Sequence, residues 1–479
     1  MRQLLGLILC LFLSACSLTT KETTIVIYST NDTHAQIDNY AKVAAYLKSE
    51  REKHPNTLVL SAGDMFSGNP VVDQHMEKGQ PIVKLMNQVG YQYATFGNHE
   101  FDYGQENLQQ RMNDAEFEML CANMEIDNQN SFLKSPKPYT LHQIDDIKVG
   151  VLGLTEATEN RKGELLPSAH PARLKGLRFY NPIESALKHK ALRKECDLFL
   201  ALTHIGHNYD TELANAMPEL DVIIGGHTHT QIDSTTIVNG VLVTQAYAYL
   251  NYIGKTTITL KDKQVIDKRF ELINVSKLKE EDKDIQLQIQ RYYEESPLNQ
   301  VLAQATEPFQ GKMALGNLTA DAFRKIHTLD ITLHNWGGIR IKELSKGDIT
   351  MNDVFRLDPF GNSIMVYELT PSEIRGLLKK TYRPYNKQID LVPSGMRYQI
   401  HTHEGKVSRI TLTDMQGKPL EEKRRYKVGM NSYISSSYQF EHDLPATELP
   451  HTTSDALIEY LKEQKSILPQ KISRGIITE

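Results

Sequence analysis

Between Thr24 and about Leu260, five short apolar runs each end in a loop that carries a potential metal ligand. Ile25 to Tyr28 leads into Asn31-Asp32-Thr33-His34, Leu58 to Leu60 into Gly63-Asp64, and Tyr93 to Phe96 into Gly97-Asn98-His99-Glu100-Phe101-Asp102. Leu198 to Leu202 leads into Thr203-His204-Ile205-Gly206-His207, and Val222 to Ile224 into Gly225-Gly226-His227-Thr228-His229. Helical stretches, such as the one starting at Gln105, alternate with these runs, as in an α/β domain. Open α/β sheets keep their chemistry at the carboxyl ends of their strands. One polar loop of this kind serves equally well as a helix cap, but five at strand ends do not.

The residue types narrow the chemistry. Carboxylate, imidazole and amide oxygen suit borderline-hard divalent ions such as Zn, Mn or Fe, not a thiolate site. In Asp32-x-His34 and His227-x-His229 the spacing directs both side chains of a pair the same way from an extended segment. Asn98, His99 and Asp102 offer a ligand, an acid/base group and its orienter.

Asp-x-His, Gly-Asp, Gly-Asn-His-Glu, a lone His and Gly-His-x-His, in that order, resemble the signature of the calcineurin-like metallophosphoesterases. Asn31 to His34 and Phe96 to Asp102 resemble more narrowly the bacterial 5′-nucleotidase branch. The resemblance implies a four-layer α/β/β/α domain with two divalent ions; Zn, Mn, Fe and Co all tolerate this ligand set. Carried over by motif, Asp32, His34 and His229 would hold one ion, Asn98, His204 and His227 the other, and Asp64 would bridge them. Two ions about 3.5–4 Å apart clamp the attacking and leaving oxygens of an in-line displacement and lower the pKa of water toward about 7. His99 would stabilise charge on phosphoryl oxygens without ligating, and Asp102 would favour its charged form. His207 would lie behind the ligands or at the surface, while His54, His75, His142, His170 and His189 lack any partner spacing.

The second half carries no convergent Asp/His loops. Ser276 to Glu295, with its charged run Glu280 to Asp284, reads as a helix ended by Pro297 and marks a domain boundary. Thr370-Pro-Ser-Glu373 is a capping box with proline at the first helical position, predicting a helix to about Lys380. Leu315 to Leu318, Leu333 to Arg340, Gly347 to Thr350 and Asp358 to Asn362 resemble the C-terminal domain of 5′-nucleotidases. By that resemblance Arg340 would bind phosphate, Phe360 and Tyr433 would sandwich a base, and Asn362 would read the base edge. Where the family has Gly-Gly-Asp-Gly after the second aromatic, this chain has Ser437-Tyr438-Gln439-Phe440. The aspartate that accepts ribose hydroxyls is missing, and Gln439 offers only an uncharged carbonyl.

Residues 1–16 read as an export signal: Arg2, an apolar Leu4 to Leu13, then Leu13-Ser14-Ala15-Cys16, which resembles a bacterial lipobox. Lipidated Cys16 would anchor the chain to a bacterial membrane on its periplasmic or outer face, with 17–23 as a tether. The expected organisation is then 24–275 as the metallophosphoesterase domain, 276–300 as the linker helix and 301–479 as the substrate-binding domain. Cys121 and Cys196 remain after export, each in an apolar run. A net charge of −5 gives no basic footprint for a nucleic-acid polymer.

Together these features imply an exported two-metal phosphohydrolase that releases phosphate from nucleotides. The same chemistry on nucleotide sugars, cyclic nucleotides or non-nucleotide esters is an alternative, as is a related thiosulfohydrolase. A surface lipoprotein that binds without catalysis is the alternative from another class.

Overall fold

The computed structural model describes residues 21–478 except 128, 160–162 and 385–387. The signal segment, Cys16 and most of the 17–23 tether lie outside the described residues.

The first half forms two six-stranded sheets. In the first, the order is Gln264–Asn274, Tyr252–Lys261, Glu22–Thr30, Thr57–Ser61, Tyr93–Thr95 and Glu118–Leu120. In the second it is Thr236–Val238, Val241–Gln245, Val222–Gly225, Leu198–His204, Ile147–Thr155 and Tyr139–Ile144. The central strands of both are parallel; antiparallel strands flank the second sheet on both sides and the first on one side only, its other edge, Glu118–Leu120, being parallel.

Strand periodicity sorts the side chains between layers. Ile25, Ile27, Leu58 and Leu60 of one sheet meet Leu198, Leu200, Leu202 and Val222 of the other in one buried cluster. The alternate residues Val26, Tyr28 and Val59 face the helices Tyr40–Lys53 and Gln80–Val89. On the opposite side Phe199, Ala201 and Ile223 face Pro182–Leu187 and His207–Ala216. This is the expected α/β/β/α stack. Each fully buried aliphatic side chain here contributes roughly 1.5–3 kcal/mol. Thr95 ties the layers further, since its hydroxyl lies 3.1 Å from both Leu120 O and Leu154 O, one from each sheet.

The boundary region differs in detail from expectation. The first sheet continues through Gln264–Asn274, and a short 3₁₀ turn covers Val275–Lys277. The helix starts only at Lys283, where the Asp282 carboxylate accepts from the backbone N–H of Asp284 and Ile285. A cap of this strength decides the start, so the charged run is largely outside the helix. Ile285 and Ile289 then pack into the helix-covered core of the first half.

The second half is built on a five-stranded mixed sheet in the order Leu391–Ser394, Ile331–Asn335, Tyr426–Asn431, Ser363–Leu369 and Thr447–Thr452. The helix Gly311–Ile326 packs on it. Thr370 and Glu373 form the expected reciprocal cap, and the helix runs Pro371–Thr381. Cys121 and Cys196 are both free and buried.

Candidate metal centre and substrate cleft

Five strand ends, three from the first sheet and two from the second, meet at one place. Asp32, His34, Asp64 and Asn98 follow strands of the first; His204 closes a strand of the second, and His227 and His229 follow another. The backbone of the second sheet grips the first directly. His227 N–H donates to both Asp32 oxygens at 3.1 and 3.0 Å, and the His204 ring reaches Ala62 O at 2.7 Å.

The loops are not extended. Asp32, His34, Asp64, His227 and His229 have φ of 49°, 47°, 52°, 80° and 51°. Asp32-x-His34 and His227-x-His229 are therefore not the extended segments expected. Left-handed residues turn the chain sharply, and non-glycine residues hold that conformation only where the surroundings enforce it. The two histidines of the second pair diverge as well: His229 joins Asp32 and His34, whereas His227 reaches Asn98, Nδ1 to Oδ1 at 3.1 Å.

The ligand atoms of Asp32, His34 and His229 all lie within 4.8 Å of one another, as do those of Asp32, Asp64 and His204. His34 Nε2 and His229 Nε2 are 3.0 Å apart. The His204 and His227 rings sit edge-on at 5.2 Å between centroids. The first expected group, Asp32, His34 and His229, is brought together as expected; His204 groups with Asp32 and Asp64, and His227 lies against Asn98 and the His204 ring. His99 approaches them too, its ligand atom falling within 4.8 Å of those of His34 and Asp64.

The donor set fits divalent ions. His34 Nδ1 faces Ser67 O at 3.1 Å and His204 Nδ1 faces Ala62 O, so each ring donates from Nδ1 and turns Nε2 inward. His204 Nε2 is fully buried without a hydrogen-bond partner among the described residues and lies 3.2 Å from Asp64 Oδ2. A buried ring nitrogen aimed at two carboxylates is a ligand position. Burial pushes the His34 imidazole down to about 4, which leaves its lone pair available. Burial also opposes charge on His204, yet Asp64 and Asp32 hold it up at about 10. A divalent cation held by His204 and those carboxylates would take the place of that proton.

Two groups that the sequence reading left without a role set this geometry. Glu100 is fully buried and accepts from the backbone N–H of Asp64, Met65 and Gly97 at 2.9, 2.7 and 2.5 Å. It locks the Asp64 loop against the Asn98 loop. Asn31 Nδ2 donates to Asp32 Oδ2 at 2.6 Å while its Oδ1 accepts from Ala246 N–H at 2.7 Å. Both stand inside the quoted motifs, but only the fold shows what they hold. Gly97 is required beside them, because a Cβ there would overlap Asp64 Oδ1 and sit 2.6 Å from its backbone nitrogen.

His99 stands at the edge of the cluster, its ring 5.0 Å from that of His34. Its Nδ1 lies 2.6 Å from Asp102 Oδ2, and its N–H donates to Asp64 Oδ1 at 2.9 Å. Burial opposes the charged ring, but Asp102 and Asp64 hold it up at about 9.

A cleft of about 460 Å³ opens from His99 and Asp102 toward the second half. Asn98 shares that wall, while Asn335, Arg340, Phe360, Asn362 and Tyr433 line the other. Neither aromatic belongs to a core; Tyr433 is 37% exposed. The Arg340 guanidinium lies 5.3 Å from the Phe360 ring centroid. Asn362 is buried and accepts from the Ser432 hydroxyl at 3.4 Å. Arg173, which the sequence did not single out, spans the halves by donating to Phe360 O at 3.3 Å.

Residues 25–231 match the calcineurin-like phosphoesterase family, and residues 294–439 match the 5′-nucleotidase C-terminal domain. The chain thus carries a calcineurin-like phosphoesterase domain followed by a 5′-nucleotidase C-terminal domain. Among relatives, it is 31% identical over 412 residues to the trifunctional nucleotide phosphoesterase protein YfkN of Bacillus subtilis, covering 74% of this chain and 27% of that one. The chain thus spans about a quarter of that relative's length. A 5′-nucleotidase precursor from Thermus thermophilus has the same fold at 25% identity, with a TM-score of 0.76 over 95% of this chain and all of that one. The fold also recurs in the Thermus thermophilus sulfate thiohydrolase SoxB, with a TM-score of 0.68 at 15% identity over 95% of this chain and 96% of that one. The metallophosphoesterase domain carries the candidate ligand cluster and the 5′-nucleotidase C-terminal domain faces it across the cleft.

Proposed function

We propose that this protein is a two-metal phosphohydrolase that releases phosphate from nucleotides. One observation carries the reading. A single cleft joins a charged His99–Asp102 pair beside the ligand cluster to an arginine and two accessible aromatic rings.

Asp32, His34 and His229 would hold one ion, Asn98, His204 and His227 the other, with Asp64 between them. When bound, such ions polarise a phosphoryl oxygen and supply hydroxide near neutral pH. The chain's own groups do the rest. His99, kept as imidazolium by Asp102, donates a charged hydrogen bond to a phosphoryl oxygen as charge grows there. Arg340 pairs with phosphate through its planar fork. Phe360 and Tyr433 present stacking faces, each worth roughly 1–3 kcal/mol for a base, and Asn362 presents an amide to the base edge. Burial of Asp32, Asp64 and His204 keeps bulk water from the ligand atoms.

Export and lipid attachment at Cys16 belong to the same proposal and rest on the residue pattern of 1–16. Loss of labelled fatty-acid incorporation in Cys16→Ser tests that part.

The decisive experiment is a substrate panel with chelated and then remetallated protein. Phosphate release from AMP that exceeds release from UDP-glucose, a cyclic nucleotide and a non-nucleotide ester supports the reading. Preference for one of the others moves the substrate class, and nucleotide binding without turnover supports a non-catalytic binder. Asp64→Asn is expected to abolish metal-dependent turnover.

A further inference from the structure

Gln439, the residue that stands where a ribose-reading carboxylate is missing from the sequence, is exposed and does not line the cleft. A different carboxylate does. Asp390 lines the cleft with its side chain 14% exposed. The Tyr438 hydroxyl donates to Asp390 Oδ2 at 2.5 Å, and Arg383 donates to the same oxygen at 3.1 Å. Tyr438 is the neighbour of Gln439, so the altered motif has turned a phenol inward to hold a carboxylate that arrives from another segment. Burial and that carboxylate push the Tyr438 phenol above its ordinary value, which keeps its proton available to donate.

The position of Asp390 is bracketed on both sides. Its neighbour Ile389 accepts through its carbonyl from the Trp336 indole N–H at 3.0 Å, which ties the segment to the Asn335–Arg340 turn. Its partner Tyr438 caps the short helix Ser432–Ser437 that carries Tyr433. Asp390 lines the same cleft as Arg340, the proposed phosphate partner, and the Tyr433 ring. In a nucleoside monophosphate the group between phosphate and base is the pentose. Both contacts from the protein go to Oδ2, and Oδ1 receives none among the described residues. A sheltered carboxylate oxygen is a strong acceptor for hydroxyl donors. The adjacent guanidinium offsets its charge, which favours neutral hydroxyls over a cationic ligand.

We infer that Asp390, positioned by Tyr438 and Arg383, is the residue that reads the vicinal 2′,3′-diol of the substrate's pentose. This rests on the nucleotide reading above. It makes the protein selective for ribonucleotides by a route that its family motif does not contain.

The test compares kcat/KM for AMP with that for its 2′,3′-dideoxy analogue, using metal-loaded full-length protein. The wild-type ratio is expected to be about 10–100, the range of a hydrogen bond to a charged acceptor. In Asp390→Asn it falls to near 1, and Asp390→Glu, which shifts the carboxylate by one methylene, also lowers it. Gln439→Ala leaves the ratio unchanged. A ratio unchanged in both Asp390 variants, or lost in Gln439→Ala, overturns the inference while the nucleotide reading stands. No turnover of any nucleoside monophosphate overturns the nucleotide reading, and this inference with it.

Discussion

His34 Nε2 and His229 Nε2 lie 3.0 Å apart, although the two residues are 195 positions apart and follow strands of different sheets. Neither ring gains from this proximity unless a proton or a cation lies between them. Substituting either histidine by alanine is expected to remove one equivalent of bound metal and cut affinity at that site by at least about 10-fold. Elemental analysis after equilibration with limiting Mn or Zn measures both. Metal content unchanged in both variants would remove the first ion from the assignment.

His99→Ala separates ligation from catalysis. The ring lies close enough to His34 and Asp64 to ligate, but its Nδ1 is engaged by Asp102. Retained metal with kcat lowered about 10²–10³-fold is expected, the cost of losing one charged donor to the transition state. Asp102→Asn should lower kcat less, by about 10-fold, because the ring stays but its charge is less favoured. Loss of metal in His99→Ala would make this histidine a ligand.

Gly97→Ala changes no ligand yet is expected to disable the centre. The added Cβ collides with Asp64, so the Asp64 and Asn98 loops must separate. Turnover should fall by more than about 100-fold together with metal affinity, whereas Gly104→Ala, with open space around its Cα, should be far milder. Gly104 has φ of 83°, so the second change still carries backbone strain and a loss of stability of about 1 kcal/mol. Melting curves and metal titrations of the two variants distinguish collision from strain.

Glu50 supplies a pH dependence away from the metals. It accepts from the Tyr28 hydroxyl at 2.6 Å and pairs with Lys53 and Lys255 at 2.9 and 3.1 Å. Burial opposes its charge, but Tyr28, Lys53 and Lys255 hold the carboxyl down at about 2, against 4.5 when free. The folded value lies below the unfolded one, so the stabilisation is complete above about pH 4.5 and is lost as pH falls toward 2. Glu50→Gln should destabilise the fold at neutral pH and progressively less below pH 4.5 in denaturant titrations. An equal cost at pH 3 and pH 7 would refute the assignment.

Strand ends and ligands were readable in the chain because apolar runs and chelating residues are local signals. Ile25 to Tyr28 and Leu198 to Leu202 are strands as expected, and the side chains beyond them do converge. The Thr370–Glu373 cap was readable for the same reason, since donor and acceptor are three residues apart. The left-handed φ of Asp32, His34, His227 and His229 was not, because it is imposed by the facing sheet. The start of the 283–294 helix depended on which acidic residue in a run of several became the cap.

By itself the sequence determined which residue types stand at the ends of which strands, and hence the class of chemistry. Tertiary structure decided how they are shared. His227 and His229, two residues apart and both left-handed, reach different partners, Asn98 and Asp32. It also decided that Asp390, not Gln439, faces the cleft. Local pattern records what a residue can do, whereas the direction of a side chain depends on packing against segments far away in the chain. For Asp390 those segments are the turn that carries Trp336 and the helix end that carries Tyr438.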